Sequence, residues 1–512
     1  MSNSRSKNAA LNIIVGYIAQ IGIMLLSFVG RRIFVHYLSL DYLGINGLYG
    51  NILSVLALAE LGLGNVTQFF LYKPVANNDE KKIASLMRYF RKLYTIIASV
   101  VLGFGLLLIP FLNYIVNTDL PQGEMILYYI LFLLNSVVTY FSADKIALLA
   151  ANQDNRLQKY VTLGTSFLLQ IMHIIVLIIW HNYVIYVAAT LLNSIVNVVV
   201  LNCICNHRYP YAQISSASKI EEKDRQTILD NVKSTFVYKI GAVIVNNTDN
   251  ILISIIVSTA AVGLYSNYYM VVTAVQTFIT IITTALISGI GNLSAEGNKK
   301  RMNEIFNMML LLYHFIAGFG AISFFFLFQD LIPFWLGTEY VMDQKTVFAI
   351  ALSFYVTNAI SPIWMFREAN GLFSKVKYLL LVTAGCNILF SIVLGIPLGI
   401  FGILLATSIA RLVTQVWYEP KILFSSIFNK SAKEYWKNQG KYFILVILSF
   451  CICFLINEAA PHTPIFMVIK ASIFLLVTLF VFATLNYKSS ESKDLIGYIK
   501  MIRNKFIRKG NS

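Results

Sequence analysis

The sequence alternates between long apolar runs and short polar segments along its whole length. A helix that crosses the hydrocarbon core of a bilayer needs about 20 mostly apolar residues, because that core is roughly 30 Å thick. Strands of a membrane barrel would alternate apolar and polar residues, whereas these runs are apolar on all sides. The pattern predicts about fourteen transmembrane helices, at 11–30, 43–70, 93–116, 124–150, 161–180, 183–203, 235–257, 263–290, 305–328, 345–366, 378–395, 398–418, 442–457 and 464–486.

Composition agrees with this pattern and excludes a soluble globular protein. Of the 512 residues 57% are hydrophobic and only 12% are charged, with a mean hydropathy of +0.69. Water is therefore not the main solvent of this chain. The predicted fold class is an all-α polytopic membrane protein.

The positive charge is concentrated in every second connecting segment. Lys and Arg accumulate on the cytoplasmic side of membrane proteins, so this bias predicts a multi-pass protein of the bacterial cytoplasmic membrane with both termini in the cytoplasm. Of the 40 Lys and Arg residues, only Arg31, Arg32, Lys345 and Lys470 fall outside the inner segments. The net charge of +16 then reflects topology and contact with anionic inner-leaflet lipids, not nucleic-acid binding.

Several kinds of chemistry have no motif in this chain. There is no G-x-x-x-x-G-K-[ST] phosphate loop, and the six histidines show no HExxH or other metal-ligand spacing. The five cysteines lie in or beside predicted helices and imply no disulfide framework. We expect a secondary transporter, not an enzyme, with no catalytic residues, no bound metal and no cofactor.

An internal repeat divides the sequence at an offset of 219 residues. The turn LSLDYLGINGLYG from Leu38 matches VSTAAVGLYSNYY from Val257, which pairs Ser39 with Ser258, Gly44 with Gly263 and Tyr49 with Tyr268. Six predicted helices separate the copies, so both copies have the same orientation. We predict an N-terminal six-helix lobe, a cytoplasmic linker, a C-terminal six-helix lobe, and two further helices with a basic cytoplasmic tail, at 1–203, 204–234, 235–418 and 419–512.

Polar side chains inside the predicted spans are the default functional candidates, because they are costly there unless they face a cavity or a partner. Helix one carries a polar stripe whose positions, shifted by 219, fall on a second stripe in helix seven. The two stripes are Gln20, Ser27 and Arg31, and Lys239, Asn246 and Asn250. We interpret them as lining a shared central cavity, although Lys239 is also placed to snorkel to the inner surface.

Arg31 and Arg32 depart from the positive-inside pattern, and Asp249 lies at about their depth in the other copy. We expect these groups to face one another near the outer end of the cavity. They form either a phosphate-attracting site or an outer gate closed by an Arg–Asp pair, since Arg suits phosphate and carboxylate alike. The alternative is an interfacial pair that snorkels to lipid headgroups.

Three further groups are candidates. Glu60 lies deep in apolar sequence and serves either ion or proton coupling or gating, or a structural ion pair. Arg367 and Glu368 end helix ten at the predicted inner mouth of the cavity, or only anchor that helix. A hydroxyl-rich face of helix eight suits sugars, although such residues also mediate helix packing; it consists of Thr273, Gln276, Thr277, Thr280 and Thr284.

The sequence resembles the polysaccharide transport family of the multidrug/oligosaccharidyl-lipid/polysaccharide exporter superfamily, the repeat-unit flippases of O-antigen and capsule assembly. The resemblance rests on NAALNIIVGYIAQ near the start, RRIFVHYLSLDYLGINGLYGNIL, ALAELGLGN, TDNILIS followed by VGLYSNYY, and the two final helices. It implies two six-helix lobes that alternate between inward-open and outward-open states and move an undecaprenyl-diphosphate-linked oligosaccharide to the outer leaflet. It also implies a cationic cavity for the diphosphate, with Arg31, Arg32 and Lys239 as the matching residues.

The resemblance implies further partners, namely a polysaccharide polymerase and glycosyltransferases, and a coupling cation, H⁺ or Na⁺. Three other functions remain open from the sequence: a cation-coupled multidrug antiporter of the same superfamily, a flippase of the peptidoglycan lipid precursor, and a membrane glycosyltransferase or polymerase. The extra helices at 442–486 argue against the antiporter, which typically has twelve. The absence of a large outer loop with acidic pairs argues against the glycosyltransferase.

Overall fold

A computed structural model describes residues 2–60, 62–213, 220–461 and 463–497. Over these residues the chain is built almost entirely of helices and contains no β-strand, which confirms the predicted fold class. The helices are α1 (Ser2–Tyr37), α2 (Leu40–Leu56), α3 (Leu63–Ala76), α4 (Glu80–Leu108), α5 (Leu112–Ile115), α6 (Gln122–Thr139), α7 (Ala143–Ala151), α8 (Asn155–Ile179), α9 (Tyr183–Arg208), α10 (Glu222–Ile256), α11 (Thr259–Ala295), α12 (Lys299–Trp335), α13 (Gln344–Ala359), α14 (Ser361–Ala369), α15 (Phe373–Val413), α16 (Gln415–Leu423), α17 (Lys433–Ala459) and α18 (Pro464–Asn486).

Within the described residues, ten helical stretches are long and apolar enough to cross a membrane. The protein is therefore a multi-pass membrane protein. One of these stretches, at 375–428, contains two of the predicted spans, which join at a bend where Gly399 has a φ of +60°. The apolar part of α10, Ile240–Ile256, is shorter than a full span. The number fourteen stays a prediction.

Two helices that the sequence predicts to be continuous are interrupted. Between α2 and α3 the chain forms a 3₁₀ turn at Ala57–Glu60, and Gly62 follows with a φ of +99°, which favours glycine. Between α6 and α7 a second 3₁₀ turn occupies Tyr140–Ser142. Because α3 packs against α7, the two interruptions belong to neighbouring helices of one helical layer.

The end of the linker predicted at 204–234 and the helix predicted at 235–257 form one element. Glu222–Ile256 is one continuous helix. Its first turn is held by Lys82 of α4, which forms an ion pair with Asp224. The polar and apolar parts of α10 thus form one helix, and the ion pair joins its first turn to α4.

The chain divides into two compact units, Met1–Asn267 and Tyr268–Ser512, with the boundary inside α11. In the first unit α1 packs on α8, α8 and α6 on α9, and α10 on α2. In the second unit α12 packs on α13, α17 and α18, while α15 packs on α13 and α16. The lobe boundaries predicted from the repeat stay a prediction.

The two repeat tyrosines are both buried and both anchor the backbone of their own unit. The hydroxyl of Tyr49 donates to the carbonyl of Met125 at 3.0 Å. The hydroxyl of Tyr268 accepts from the amide of Met342 at 2.7 Å. A buried phenol needs such a partner, and the matched positions of the two anchors agree with the repeat found in the sequence.

Candidate functional site

The repeat glycines Gly44 and Gly263 meet where the first turns of α2 and α11 cross, at the end of the helices that charge predicts to face outward. A methyl group on Gly44 would lie 1.8 Å from the carbonyl oxygen of Thr259, and one on Gly263 would lie 2.3 Å from that of Leu40. Only glycine allows two backbones to approach this closely. We refer to Gly44, Thr259 and Gly263 as the glycine crossing.

Hydrogen bonds hold the turn between α10 and α11 next to the glycine crossing. The amide of Thr259 donates to the carbonyl of Asn117 at 2.8 Å, and the Asn117 side chain donates to the carbonyl of Val257 at 3.1 Å. The Ser254 hydroxyl donates to the carbonyl of Ile115 at 2.7 Å. These bonds pair backbone groups that would otherwise be unsatisfied at the helix ends, so this end of the helices is closed.

Arg31 contributes to the same closure. Its Nη1 donates to Ser266 Oγ at 2.9 Å and to Asn267 Oδ1 at 3.4 Å. Both partners lie about one turn beyond Gly263 on α11. Arg32 is exposed. Of the two predicted arginines, Arg31 therefore lies at the junction of α1 with α11.

The other members of the two stripes differ in environment. Gln20 is exposed, and the Ser27 hydroxyl donates to the carbonyl of Ile23 in its own helix at 2.8 Å. On α10, Asn246 is exposed whereas Asp249 and Asn250 are half-buried. The Asn250 amide lies near Gly47 of α2, and its Oδ1 has no hydrogen-bond partner within the described part of the chain. The Lys239 side chain lies outside the described residues.

Glu60 is the last residue of the 3₁₀ turn after α2 and is half-buried. Its carboxylate lies against the hydroxyl of Tyr140, in the second 3₁₀ turn, and near Tyr94 of α4. Both interruptions of helical structure in this layer therefore bring polar groups together. Broken helices with polar groups at membrane depth are typical of binding sites in transporters.

The predicted sugar-facing residues lie along α11 in the second unit. The hydroxyls of Thr273, Thr277, Thr280 and Thr284 each donate to the carbonyl one turn earlier, at 2.8 to 3.0 Å. Gln276 instead exchanges two hydrogen bonds with the buried Asn358, at 3.0 and 3.3 Å. The threonine donors are satisfied by the helix, and their oxygens keep capacity to accept further hydrogen bonds.

Arg367 is buried and paired. Its guanidinium donates to both carboxylate oxygens of Glu419, at 2.9 and 3.0 Å, and contacts Glu368 at 3.4 Å. Bidentate pairs of this kind fix geometry as well as charge. The Arg367–Glu419 pair joins α14 to α16 in the second unit, and Glu419 was not among the residues that the sequence singled out.

Sequence reasoning also missed two buried lysines. Lys470 of α18 is 1% exposed and donates to Asp330 of α12 at 3.0 Å. Lys145 of α7 is 2% exposed, beside the buried Asp144. A basic residue inside the apolar run of α18 was a signal for the first. The sequence analysis assigns Lys145 to one of the basic inner segments, so the local pattern gave no sign that this lysine is buried.

Outside the spans, Asp154 joins the loop before α8 to the end of α9. It accepts hydrogen bonds from Arg208 at 2.7 Å and from Tyr209 at 2.6 Å. Burial alone would raise the pKa of this carboxyl, but these two bonds and the positive charge of Arg208 outweigh burial and lower it. Burial and the same carboxylate raise the pKa of Tyr209 to about 12.

Within the described residues, no three His, Cys, Asp or Glu side chains are grouped so that they could hold a metal ion.

Comparison with known sequences matches one family to this chain. The family described as polysaccharide biosynthesis protein matches residues 81–345, which is more than half of the 512 residues. A comparison with curated protein sequences gave no match.

Comparison with solved structures shows the same fold in membrane transporters. The inward closed conformation of lipid II flippase MurJ has a TM-score of 0.71 at 16% identity, covering 94% of this chain and 100% of that one. An inward-facing multidrug resistance MATE family transporter of the MOP superfamily has a TM-score of 0.64 at 15% identity, covering 81% and 99%. A MATE transporter of Vibrio cholerae has a TM-score of 0.55 at 13% identity, covering 84% and 100%.

Proposed function

The chain belongs to the family of polysaccharide biosynthesis proteins, and from this premise we propose that it is a flippase for lipid-linked oligosaccharides. Its substrate is an undecaprenyl-diphosphate-linked repeat unit, which it moves from the inner to the outer leaflet of the bacterial cytoplasmic membrane for capsule, O-antigen or other surface polysaccharide. Both termini face the cytoplasm. The protein is a transporter and performs no covalent chemistry on the repeat unit.

The observation that carries this proposal is the glycine crossing. Two copies of one repeat meet at a single end of their helices, and the approach is so close that a methyl group on either glycine would overlap a backbone carbonyl of the other copy. Alternating access requires an end that closes tightly in one state and separates in the other. A polar headgroup cannot cross bare hydrocarbon, because its unpaired polar groups would cost several kcal/mol each, whereas a polyprenyl tail can stay in the lipid.

In this proposal the polar residues near the helix ends and on α11 have separate roles. Arg31, Arg32 and Lys239 attract the diphosphate, since cationic side chains form charge-assisted hydrogen bonds with phosphate oxygens. The hydroxyls along α11 accept and donate hydrogen bonds to sugars. Glu60 and Asp249 serve coupling to H⁺ or Na⁺ or gating, and Arg367 with Glu368 shapes the inner mouth.

The cellular setting follows from the same proposal. The basic inner segments contact anionic lipids of the inner leaflet. Glycosyltransferases supply the repeat unit on the cytoplasmic side, and a polymerase consumes it on the outer side. The lipid-flippase fold covers more of this chain than the first multidrug transporter fold, 94% against 81%, which supports a lipid-linked substrate over a soluble drug.

Transport in reconstituted vesicles tests the proposal. The probe is a fluorescent undecaprenyl-diphosphate-linked disaccharide, and the readout is the rate at which it becomes accessible to a membrane-impermeant quencher. We expect protein-dependent movement, and a loss of about tenfold or more in the double variant Arg31→Ala/Arg32→Ala, because each charge-assisted hydrogen bond contributes about 1.5–3 kcal/mol. Arg301→Ala is the matched control, since Arg301 is exposed and pairs only locally with Glu304.

Two results would overturn the proposal. Efflux of a cationic dye without movement of the disaccharide probe would assign the protein to the drug antiporters. Movement of the peptidoglycan lipid precursor in preference to the probe would assign it to that flippase class. An unchanged rate in Arg32→Ala and in the double variant would remove both arginines from diphosphate binding while leaving transport itself intact.

A further inference from the structure

The two buried lysines of this protein differ in one respect. Lys470 is 1% exposed and Lys145 is 2% exposed, so both are cut off from water. The Nζ of Lys470 donates to Asp330 at 3.0 Å, whereas the Nζ of Lys145 has no hydrogen-bond partner within the described part of the chain. An unpaired ammonium at such a position costs several kcal/mol. Lys470 therefore has a hydrogen-bonded counter-ion, and Lys145 has none within the described residues.

The carboxylate of Asp144, the neighbour of Lys145 on α7, attracts the ammonium but is shared with an arginine. It accepts a hydrogen bond from Arg91 Nε of α4 at 3.3 Å, and it forms none with the Nζ of Lys145 within the described residues. Arg91 itself repels an ammonium at Lys145, and the remaining titratable group that faces the lysine is the thiol of Cys205 on α9. With Lys145 protonated the cluster carries one excess positive charge, and with Lys145 neutral it carries none.

The cluster lies directly after a break in its helix. The 3₁₀ turn Tyr140–Ser142 ends immediately before α7, and Tyr140 contacts Glu60 at the other break. Tyr94 of α4 faces both Glu60 and Asp144, which connects the two acidic groups. Short 3₁₀ segments within long helices often mark functional hinges, so α7 is placed where a change of conformation can expose Lys145 to water.

We propose that Lys145 is a proton-exchange site, and that it binds a proton in one conformation of the transport cycle and releases it in the other. This rests on the alternating access of the proposed function. On release the N–H bond breaks, the electron pair stays on the amine nitrogen and the proton passes to water. In the present conformation, with the glycine crossing closed, Lys145 is the neutral amine; in the alternative conformation it is hydrated and protonated.

Because protons bind the alternative conformation more strongly, acid shifts the population towards it. One exchanged proton changes the ratio of the two conformations by up to about tenfold per pH unit. The group that carries this dependence is Lys145, and Asp144 and Arg91 are the charged groups that face it. The consequence to measure is an opening of the glycine crossing as the pH falls.

The test uses the full chain in lipid nanodiscs and contains no substrate, so it can succeed or fail independently of oligosaccharide transport. The native cysteines are replaced except Cys205, which is buried and faces Lys145. Val262→Cys is introduced as a reporter, because Val262 is buried beside Gly47 at the crossing. Its labelling rate with a polar maleimide is measured from about pH 8 to about pH 6 and divided by that of exposed Asn77→Cys, which removes the pH dependence of the thiol itself.

In the parent we expect the labelling rate of Val262→Cys, divided by that of Asn77→Cys, to rise by about tenfold or more as the pH falls from about 8 to about 6. In Lys145→Met we expect this ratio to be independent of pH. The double variant Lys470→Met/Asp330→Leu is the matched control, since it removes a buried lysine together with its partner, and it should keep the parent response. If Lys145→Met does not fold, Lys145→Gln takes its place. A pH response equal to the parent in either Lys145 variant, or no response in the parent, overturns the proposal.

Discussion

Replacing Gly44 with Ala places a methyl group where the backbone of α11 already lies. The new carbon would be 1.8 Å from the carbonyl oxygen of Thr259, while an ordinary contact between carbon and oxygen is about 3.3 Å or more. The two backbones must therefore separate by about 1.5 Å at this point. Two of the three nearest atoms are the backbone carbon and oxygen of Thr259, which cannot rotate away as a flexible side chain would.

The expected cost follows from the cost of overpacking, about 1–3 kcal/mol and occasionally more. It applies only to the conformation in which the crossing is closed, so it shifts the equilibrium towards the open conformation by about 5- to 150-fold. Gly263→Ala requires a separation of about 1.0 Å, because its methyl would lie 2.3 Å from the carbonyl oxygen of Leu40. Both variants should trap the protein with the crossing open.

The assay is the maleimide labelling of Val262→Cys described above, at constant pH. Gly50→Ala is the matched control on α2 and Gly289→Ala that on α11, because an added methyl meets nothing within 4 Å at either position. Alanine also favours a helix over glycine by about 0.5–1 kcal/mol, and the controls share this effect. If Gly44→Ala labels no faster than Gly50→Ala, the crossing does not open during the cycle and the reasoning fails.

Two further predictions concern ion pairs within single units. Lys470→Met should destabilise the second unit by about 3–5 kcal/mol because it leaves a buried carboxylate unpaired, and Lys470→Met/Asp330→Leu should recover most of the loss; thermal unfolding in detergent measures both, and equal losses in the single and double variants would contradict the pairing. The pKa of Asp154 is lowered in the folded protein, so its ionised carboxylate stabilises the fold above the usual carboxyl pKa. This stabilisation is lost as the pH falls through the lower pKa that the group has in the folded protein. Tyr209→Phe removes one of its hydrogen bonds, so thermal unfolding measured down to about pH 3 should show a smaller acid-dependent loss than in the parent, and an unchanged acid profile would show that the phenol contributes nothing.

Much of the fold could be predicted from the sequence, because the hydrocarbon of the bilayer requires apolar side chains along most of each membrane helix. Apolar runs of sufficient length predicted the helices, and nothing but helices satisfies the backbone of a single chain in hydrocarbon outside a closed barrel. The repeat was also visible, and it paired Gly44 with Gly263 and Tyr49 with Tyr268 before any contact was known. The interruptions at Glu60 and Tyr140 were not visible, since local sequence there remains apolar.

The candidate site could be predicted only in part. Helical periodicity placed Gln20, Ser27 and Arg31 on one stripe, because residues four and seven apart share a face. It could not assign partners to them, and the contacts of Arg31 with Ser266 and Asn267 depend on where α11 begins relative to α1. The assignments of these residues to diphosphate, sugar and coupling roles stay predictions.

The sequence by itself determined that this protein is a helical membrane protein with a duplicated hairpin, because length, hydropathy and repetition are properties of the chain read in order. Only the tertiary structure decided that the two repeat glycines touch, that Arg367 pairs with Glu419 and Lys470 with Asp330, and that the Nζ of Lys145 has no hydrogen-bond partner among the residues that the structure describes. The physical reason is that a hydrogen bond or an ion pair acts over about 3 Å, and which side chains come that close is set by the rotation and depth of helices that lie far apart in the sequence.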